Sequence, residues 1–377
     1  YDQLAPSLEK ITSNNSNGSY GVGESIQIEL VFSENVLVEG IPNIILDLGE
    51  DDGVAEYLQG SGDSVIVFNY IIENGHYSND LDLVLNNSIE LNGGSLKDNS
   101  GNNANIELSI YGGEHSLSHN KDITIDALSP IVYNVNASPS EGIFGIGAII
   151  EIEINFSEIV FVTGTPQLEI ENDDGSIILN YVGGDGNDFL LFNYVIEPGH
   201  SANYLGYSSP NSLTLNDGTI KDYQGNNAIN TLPEPGQDNS LRSNTDLVFD
   251  TTIPMVKSVD FITPDGIYNV NDTIVIAFIF DEKVNVEGIP QLYLQTENFP
   301  IINFSENLSG DTLLFKYIIE EGQNSSDLDY IASNSLILNE GSIKDLIGNE
   351  ANLSLPFPGS ENSLSGNSDI IIDTNSP

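Results

Sequence analysis

The sequence predicts an all-β protein of three consecutive Greek-key β-sandwich domains. Two observations carry this prediction. One pattern of about 124 residues is written three times along the 377-residue chain. Within each copy, apolar and polar residues alternate over short runs that end in turn-forming residues. Because a copy of this length is close to the usual size of a domain, we place the domains at 1–129, 130–253 and 254–377.

The threefold pattern is visible at matching positions. The segment 20–23 (YGVG) recurs as 144–147 (FGIG) and 268–271 (YNVN), and 32–34 (FSE) recurs as 156–158 (FSE) and 280–282 (FDE). Each copy closes on an aspartate followed by a proline, namely Asp126 and Pro130, Asp250 and Pro254, and Asp373 and Pro377. A unit repeated in tandem at full length is typical of a stalk or a lattice rather than of a single catalytic centre.

Period-2 alternation predicts the strands of each copy. The first strand covers 26–32, with one buried face, and recurs at 150–156 and 274–280. The others are predicted at 44–48, 66–72, 88–91 and 122–125 in the first copy, at 168–170, 190–196, 212–215 and 246–249 in the second, and at 292–294, 313–319, 335–338 and 369–372 in the third. Gly- and Asn-rich clusters such as 92–94 (NGG) separate them and tolerate positive φ. No amphipathic helix is predicted.

The third copy departs from the others on the outer face of its first strand. Val275, Ala277 and Ile279 stand where the first copy has Gln27, Glu29 and Val31 and the second has Glu151, Glu153 and Asn155. Two interpretations remain open: this face contacts another chain, or these residues simply favour β-structure.

The composition bounds the partners. The chain has 57 acidic and 9 basic residues, a net charge of −48, which repels nucleic acid and anionic lipid and attracts divalent cations. Its apolar residues make up 39% and are periodic, which argues against disorder. No apolar run reaches transmembrane length. Domains with adequate cores need no disulfides, so the absence of cysteine is compatible with a secreted protein. We recognise no signal peptide and expect a processed fragment of a longer chain with more copies.

The whole pattern resembles a large group of immunoglobulin-like repeats that occur in tandem in giant bacterial and archaeal surface proteins, including adhesins and surface-layer proteins. The shared features are the glycine-rich start, the alternating strand ending in FSE, a Gly-x-Pro before the next strand, the segment 91–102 (LNGGSLKDNSGN) and the closing 372–377 (IDTNSP). All three copies share them, although 126–130 (DALSP) departs from the closing pattern. The resemblance implies an immunoglobulin-like sandwich and an extracellular setting, but it is weak for function, because one repeat type serves many surface proteins.

The resemblance also implies a place for metal ions. In an immunoglobulin-like topology, the loop after FSE and the KDxxGN loop lie at the end that faces the closing aspartate of the preceding domain. Three sets of residues are then expected, one at each such end: Glu34, Asp98 and Asn102; Asp126, Glu158, Asp222 and Asn226; Asp250, Glu282, Asp345 and Asn349. Ca²⁺ takes about six to eight oxygen ligands, which carboxylates, asparagine side chains and backbone carbonyls supply. We therefore predict Ca²⁺ sites, similar in logic to cadherin junctions, with turn capping by Asp and Asn as the alternative.

The histidines do not predict a catalytic site. His76 and His200 share a position that holds Gln323 in the third copy, so a required base or ligand is not expected there. His115 and His119 do not recur. There is no nucleophile elbow, phosphate loop or dinucleotide-binding glycine pattern, and we predict that the protein is not an enzyme. Sequons for N-glycosylation occur at Asn14, Asn17, Asn86, Asn136, Asn155, Asn271, Asn303, Asn307, Asn324 and Asn352.

The sequence thus favours a non-enzymatic, extracellular tandem-repeat segment of a cell-surface adhesin or filament. Its expected partners are further copies of the repeat or other chains of the same surface assembly, with surface glycans or host surfaces as further candidates. We expect neither nucleic-acid binding nor direct membrane insertion. Two alternatives remain open: a surface-layer lattice protein whose acidic surface gathers cations, and an array of carbohydrate-binding modules. The absence of tryptophan weakens the second alternative.

Overall fold

A computed structural model describes residues 3–49, 51–85, 87–107 and 112–375. Over these residues the chain is all-β, as the sequence predicts, with two helices of four residues each. Neither helix approaches the length or apolar character needed to cross a membrane in this part of the chain. The sequon at Asn86 and the closing Pro377 lie outside the described residues. We call 1–129, 130–253 and 254–377 repeats 1, 2 and 3.

Repeat 1 folds into a larger and a smaller sheet. Its elements are β1 (Leu8–Ser13), β2 (Gly18–Tyr20), β3 (Ser25–Glu39), β4 (Asn43–Asp47), β5 (Gly53–Gln59), β6 (Asp63–Ile71), β7 (Tyr77–Ser78), β8 (Asp82–Leu83), β9 (Ile89–Glu90), β10 (Ser95–Lys97), α1 (Leu117–Asn120) and β11 (Ile123–Asp126). The larger sheet has the order β1-β3-β6-β5-β4-β8, with β10 paired to β3 and β9 to β4. The smaller sheet, β2-β11-β7, contains the parallel pair β2 and β11.

Repeat 2 has the same sheet order in its larger sheet. Its strands are β12 (Val132–Ser138), β13 (Glu141–Phe144), β14 (Ile149–Thr163), β15 (Gln167–Asn172), β16 (Gly175–Gly183), β17 (Asn187–Val195), β18 (Leu213–Thr214), β19 (Thr219–Lys221) and β20 (Asp246–Phe249). They form the sheet β12-β14-β17-β16-β15-β18, with β19 paired to β14, and the parallel pair β13 and β20.

Repeat 3 again keeps the order. Its elements are β21 (Val256–Phe261), β22 (Gly266–Tyr268), β23 (Thr273–Phe280), β24 (Asn285–Glu287), β25 (Gln291–Gln295), β26 (Ile301–Leu308), β27 (Thr312–Ile318), β28 (Asp329–Tyr330), β29 (Leu336–Ile337), β30 (Ser342–Lys344), α2 (Leu364–Asn367) and β31 (Ile370–Ile372). The larger sheet is β21-β23-β27-β26-β25-β28, with β29 paired to β25, beside the pairs β22-β31 and β24-β30.

Buried apolar side chains of the described residues form three separate clusters, one within each repeat. The clusters cover 11–127, 132–249 and 259–372. The alternating residues of the predicted first strand supply each cluster, because successive side chains of a strand point to opposite faces. Ile28, Ile152 and Ile276, at matching positions, are each 0% exposed. The inward face that the alternation predicts is therefore confirmed.

The prediction that the first strand ends at FSE is wrong in repeats 1 and 2. There β3 and β14 continue to Glu39 and Thr163 past an irregularity in their pairing. The far ends, 37–39 and 161–163, pair with β10 and β19 instead of the larger sheet's next strand. A bulge bends a strand, and here the bend turns the far end of the strand toward a different partner strand. In repeat 3 the strand does end at Phe280, and β24 follows separately.

In repeats 1 and 3, a buried aspartate accepts hydrogen bonds from the start of the short helix. Asp82 is 2% exposed and accepts hydrogen bonds from the Leu117 N–H (3.2 Å) and the Ser118 hydroxyl (2.6 Å) at the start of α1. Asp329 is 3% exposed and accepts from the Ser365 hydroxyl (2.6 Å) at the start of α2. Each carboxylate thus satisfies N–H groups that a helix start leaves without an intrahelical partner.

Repeat 2 lacks this aspartate and also lacks the helix. Gly206 and Arg242 stand at the positions of the aspartate and the serine, and the segment folds as turns. The Arg242 guanidinium instead lies 4.2 Å from the centre of the Tyr204 ring, a cation–π contact. An added Cβ at Gly206 would lie 3.4 Å from the Arg242 Cβ.

The apolar outer face of β23 is partly covered by its own chain. Ala277 is 4% exposed, and Val275 and Ile279 are half-buried. The strand register sets Ala277 opposite Leu314 of β27, which is 5% exposed. The free apolar surface is smaller than the sequence suggests, and a contact with another chain stays a prediction.

Candidate metal centre

Three carboxylates meet at the border of repeats 1 and 2. One oxygen from each of Asp126, Glu158 and Asp222 lies within 4.8 Å of the other two. Asp126 belongs to repeat 1, whereas Glu158 and Asp222 belong to repeat 2. The sequence predicts this proximity, and the structure brings the three residues together. We call them the border triad.

Each member of the border triad is positioned by a strand. Asp126 is the last residue of β11, where it pairs with Tyr77 of β7. Glu158 lies in the irregular part of β14, between its two pairing segments. Asp222 follows β19 and is 4% exposed. The bend at which β14 changes its partner from β17 to β19 therefore sets where Glu158 lies.

The triad is electrostatically strained. Burial, and then the neighbouring charges of Asp126 and Asp222, raise the pKa of Glu158 to about 7. Burial also raises the pKa of Asp126, and the Asp222 charge adds to that rise, although a hydrogen bond from the Leu128 N–H opposes it. Among the residues that the structure describes, no basic side chain forms an ion pair with the triad. Like charges that raise one another's pKa favour a bound cation or a shared proton.

A cleft of about 660 Å³ opens beside the triad. Asp126 and Glu158 line it together with the apolar residues Leu128, Ile131 and Ile229. All three apolar residues are at least 43% exposed. The cleft gives an ion a path from solvent to both carboxylates.

The border of repeats 2 and 3 holds the same residue types at longer distances. Burial raises the pKa of Glu282, and the charges of Asp345, Asp250 and Asp281 add to this, so these acids are neighbours. Their carboxylate oxygens, however, do not come within 4.8 Å of one another as a group of three. Glu282 lies in a bend after the end of β23, not inside a continuous strand as Glu158 does. This strand break accounts for the looser arrangement.

The first copy offers a turn rather than a carboxylate cluster among the described residues. Asp98 accepts hydrogen bonds from the N–H groups of Ser100 and Asn102, both at 2.8 Å, and from the Asn102 side chain at 2.6 Å. Burial acts to raise the pKa of Asp98, but these hydrogen bonds outweigh that effect. The net result is a pKa below the usual range of an aspartate. Glu34 lies in the irregular part of β3, as Glu158 does in β14. Asp98 thus caps a turn in this loop, and metal ligation by Glu34, Asp98 and Asn102 stays a prediction.

In the loops of Asp222 and Asp345, the aspartate side chain likewise caps a turn. Asp345 accepts from the N–H groups of Ile347, Gly348 and Asn349 at 2.6 to 2.9 Å. Asp222 accepts from the Asn226 N–H (2.8 Å) and from the Asn226 side chain (2.6 Å). Each loop is therefore held as a turn by its own hydrogen bonds.

The predicted ligands Asn226 and Asn349 join consecutive repeats through hydrogen bonds. The Asn349 side chain donates to the Asp250 carbonyl (2.8 Å) and accepts from the Ile146 N–H (2.8 Å), both in repeat 2. The Asn226 side chain donates to the Asp126 carbonyl at 3.0 Å, and its contact with the Val22 N–H is longer, 3.4 Å. We call this arrangement the asparagine clasp. Metal ligation by these amides stays a prediction.

The asparagine clasp explains two glycines whose role sequence reasoning missed. A Cβ on Gly145 would lie 2.6 Å from the Asn349 Oδ1, and one on Gly21 would lie 2.9 Å from the Gln224 carbonyl oxygen. Neither glycine has a positive φ, so close approach of the next repeat accounts for them. The third copy has Asn269 at this position. This exchange of glycine for a larger residue in one copy was the signal in the sequence that could have pointed to the two glycines.

The chemistry of the border triad fits a hard divalent cation. All its side chains offer oxygen, which Ca²⁺ and Mg²⁺ prefer. Each Asp222 oxygen already accepts one hydrogen bond from Asn226 but retains a second lone pair. Ca²⁺ tolerates irregular geometry and about six to eight ligands, whereas Mg²⁺ demands a near-ideal octahedron. The donor set therefore suits Ca²⁺ better.

Comparison with known proteins adds no assignment. A scan against models of protein families finds no match, and a comparison with curated proteins finds none either.

Proposed function

We propose that the chain is a non-enzymatic, extracellular structural segment of a cell-surface adhesin or surface filament, built of three immunoglobulin-like Greek-key sandwiches and stiffened by calcium. Such a segment holds a binding tip or a contact away from the cell. The observation that carries this proposal is the border triad, Asp126, Glu158 and Asp222, because two consecutive repeats contribute to it.

Electrostatics favour a cation in the triad. Two carboxylates about 4 Å apart repel by roughly 4 kcal/mol at an effective dielectric near 20, before screening. A cation between them reverses the sign of the interaction. Because the ligands come from both repeats, an ion that binds them all stabilises one relative orientation of the repeats and raises stability by mass action.

The asparagine clasp favours repeats held in a fixed relative orientation over repeats that move independently. At both borders the same loop of one repeat contacts the closing aspartate and the glycine-rich loop of the repeat before it. An arrangement that recurs at each border propagates one geometry along the chain, as a stalk requires. The three separate cores and the shared strand order support one sandwich per repeat.

Electron microscopy of the assembled protein, with calcium and with chelator, tests the functional class. The proposal predicts separate, straight particles in calcium and more variable inter-repeat angles in chelator. A calcium-dependent two-dimensional lattice would instead identify a surface-layer protein. Specific retention on immobilised polysaccharide, with no effect of calcium on inter-repeat angles, would support an array of carbohydrate-binding modules.

A further inference from the structure

A histidine holds a loop of repeat 2 closed. The Tyr194 side chain is 1% exposed, and its hydroxyl lies 2.8 Å from the Nδ1 atom of His200. The backbone N–H of Glu197 also points to that nitrogen, at 3.1 Å. Because a backbone N–H can only donate, Nδ1 must accept, and the neutral ring carries its proton on Nε2.

Repeat 3 makes the same two contacts with a glutamine. The Gln323 Oε1 accepts from the Tyr317 hydroxyl and from the Glu320 N–H, both at 2.8 Å. Gln323 occupies the position of His200. The side chain at this position must therefore accept hydrogen bonds from two donors, the tyrosine hydroxyl and a backbone N–H. Both histidine and glutamine can do so, which explains why repeat 2 has one and repeat 3 the other. The two differ in one respect: a glutamine oxygen is an acceptor at every pH, whereas a histidine nitrogen is not.

Repeat 1 has a partial version of this contact. His76 Nδ1 lies 2.5 Å from the Tyr70 hydroxyl, and the rings stack with centres 6.0 Å apart. The hydroxyl can rotate and accept from a protonated ring, whereas a backbone N–H cannot.

We propose that His200 is a pH-sensitive latch that opens the loop 197–200 when it is protonated. A proton on Nδ1 turns the acceptor into a donor that faces the Glu197 N–H, so that hydrogen bond is lost. The Thr251 hydroxyl donates to the His200 carbonyl at 2.9 Å, and Thr251 follows the closing Asp250. Opening the loop therefore also loosens the start of the connection to repeat 3.

Other groups around the ring modulate this step. The Asn172 side chain donates to the Tyr194 hydroxyl at 3.1 Å, which leaves that hydroxyl's proton for His200. Burial raises the pKa of Tyr194, the Asn172 hydrogen bond lowers it, and the charges of Asp174 and Glu197 add to the rise. Ser201 donates two hydrogen bonds to the Asp174 carboxylate. Histidine is the residue that changes charge between about pH 5 and 8, so the latch opens on mild acidification.

Amide hydrogen exchange of the full chain, in chelator, tests the latch. Protection at the Glu197 amide, corrected for the intrinsic effect of pH, should fall about tenfold between about pH 7.5 and 5.5, because one hydrogen bond is lost. His200→Gln, which copies repeat 3, should remove that fall. Gln323→His should create a corresponding fall at the Glu320 amide.

Two results would overturn the proposal. One is an unchanged protection factor at Glu197 in the wild-type protein. The other is a fall of equal size in His200→Gln, which would place the titrating group elsewhere. Folding of each variant is checked by its melting transition at about pH 7.5, and His200→Gln introduces a residue that this position already accepts in repeat 3.

Discussion

A single asparagine links two repeats because its amide can donate and accept at once. Asn349 is 1% exposed and uses both capacities across the border. The resemblance to immunoglobulin-like repeats placed it close to Asp250, because in that topology its loop faces the closing aspartate of the preceding repeat. Its hydrogen-bonding role was not predictable, because the acceptor contact depends on a loop of the preceding repeat far away in sequence.

Gly145→Ala should weaken the clasp between repeats 2 and 3. The new methyl group would lie 2.6 Å from the Asn349 Oδ1, so the buried amide must shift and its bond with the Ile146 N–H is lost. We expect a loss of about 1 kcal/mol, seen as faster hydrogen exchange at the Ile146 amide. Gly183→Ala is the control, because its methyl group would meet the nearest atom, Leu191 Cδ1, at 3.8 Å. Equal exchange rates in both variants would contradict the close approach that we describe.

The stability of the chelated protein should fall as pH rises from about 4.5 to about 7. Burial and then the charges of Asp126 and Asp222 raise the pKa of Glu158 from 4.5 to about 7, so the folded chain holds a proton that the unfolded chain has released. Between these values the folded state binds more protons, and stability decreases with increasing pH. Thermal melts across this range check the sign.

Glu158→Gln separates this effect from the other carboxylates. The variant should have a shallower pH dependence of the melting temperature in this range, because it removes the titrating group. Calcium should flatten the wild-type curve in the same way, since a bound cation keeps Glu158 ionised. A wild-type slope that survives unchanged in Glu158→Gln would assign the pH dependence to other groups.

At the scale of elements, alternation predicted some of the strands that line the cores, such as β3 and β6, but it missed β1 and β5, whose Ile11 and Ala55 belong to the core of repeat 1, and their counterparts β12, β16, β21 and β26. It was not sufficient for β2, β13 and β22, each only three or four residues long, whose parallel pairing joins segments far apart in sequence. The change of partner strand along β3 and β14 also could not be predicted, because a bulge depends on the partner strand. That bend places Glu158. The three acids of the border triad were therefore predictable as neighbours, but the distances between them were not.

Asp329→Ala should destabilise repeat 3. Asp329 accepts hydrogen bonds from the Tyr330 N–H, the Gly359 N–H and the Ser365 hydroxyl at 2.6 to 2.9 Å, and it is 3% exposed. Leaving buried donors without a partner costs about 1–3 kcal/mol each, so we expect a loss of about 3 kcal/mol and the melting of α2. Denaturant unfolding followed by hydrogen exchange within 364–367 measures both effects.

Asp327→Ala is the matched control for this element. Burial and the charges of Asp369 and Asp329 raise the pKa of Asp327, so removing its carboxylate relieves repulsion. We expect a change within about 0.5 kcal/mol or a slight gain in stability. A loss as large as that of Asp329→Ala would mean that the negative charge of the region, and not the helix cap, accounts for the effect.

Over the whole molecule, the negative charge is not balanced internally. The net charge is −48, and the ion pairs between described residues are Lys316 with Glu306 at 3.1 Å and Lys344 with Glu350 at 3.6 Å. Both pairs are exposed, and such pairs contribute about 0–1 kcal/mol. Monovalent salt screens this charge generally, whereas a divalent ion held by two repeats acts at one place. That difference distinguishes a specific site from simple screening.

The most direct test is a calcium titration of the full chain followed by small-angle scattering and thermal melting. Calcium at about 100 times its dissociation constant should stabilise the folded protein by about 2.7 kcal/mol and reduce the spread of inter-repeat orientations. Sodium chloride at equal ionic strength should do much less. Asp126→Asn combined with Glu158→Gln should abolish the calcium effect while the repeats remain folded. Identical scattering and melting profiles in calcium and in chelator would contradict the account, since the acidic loops would then be turns and nothing more.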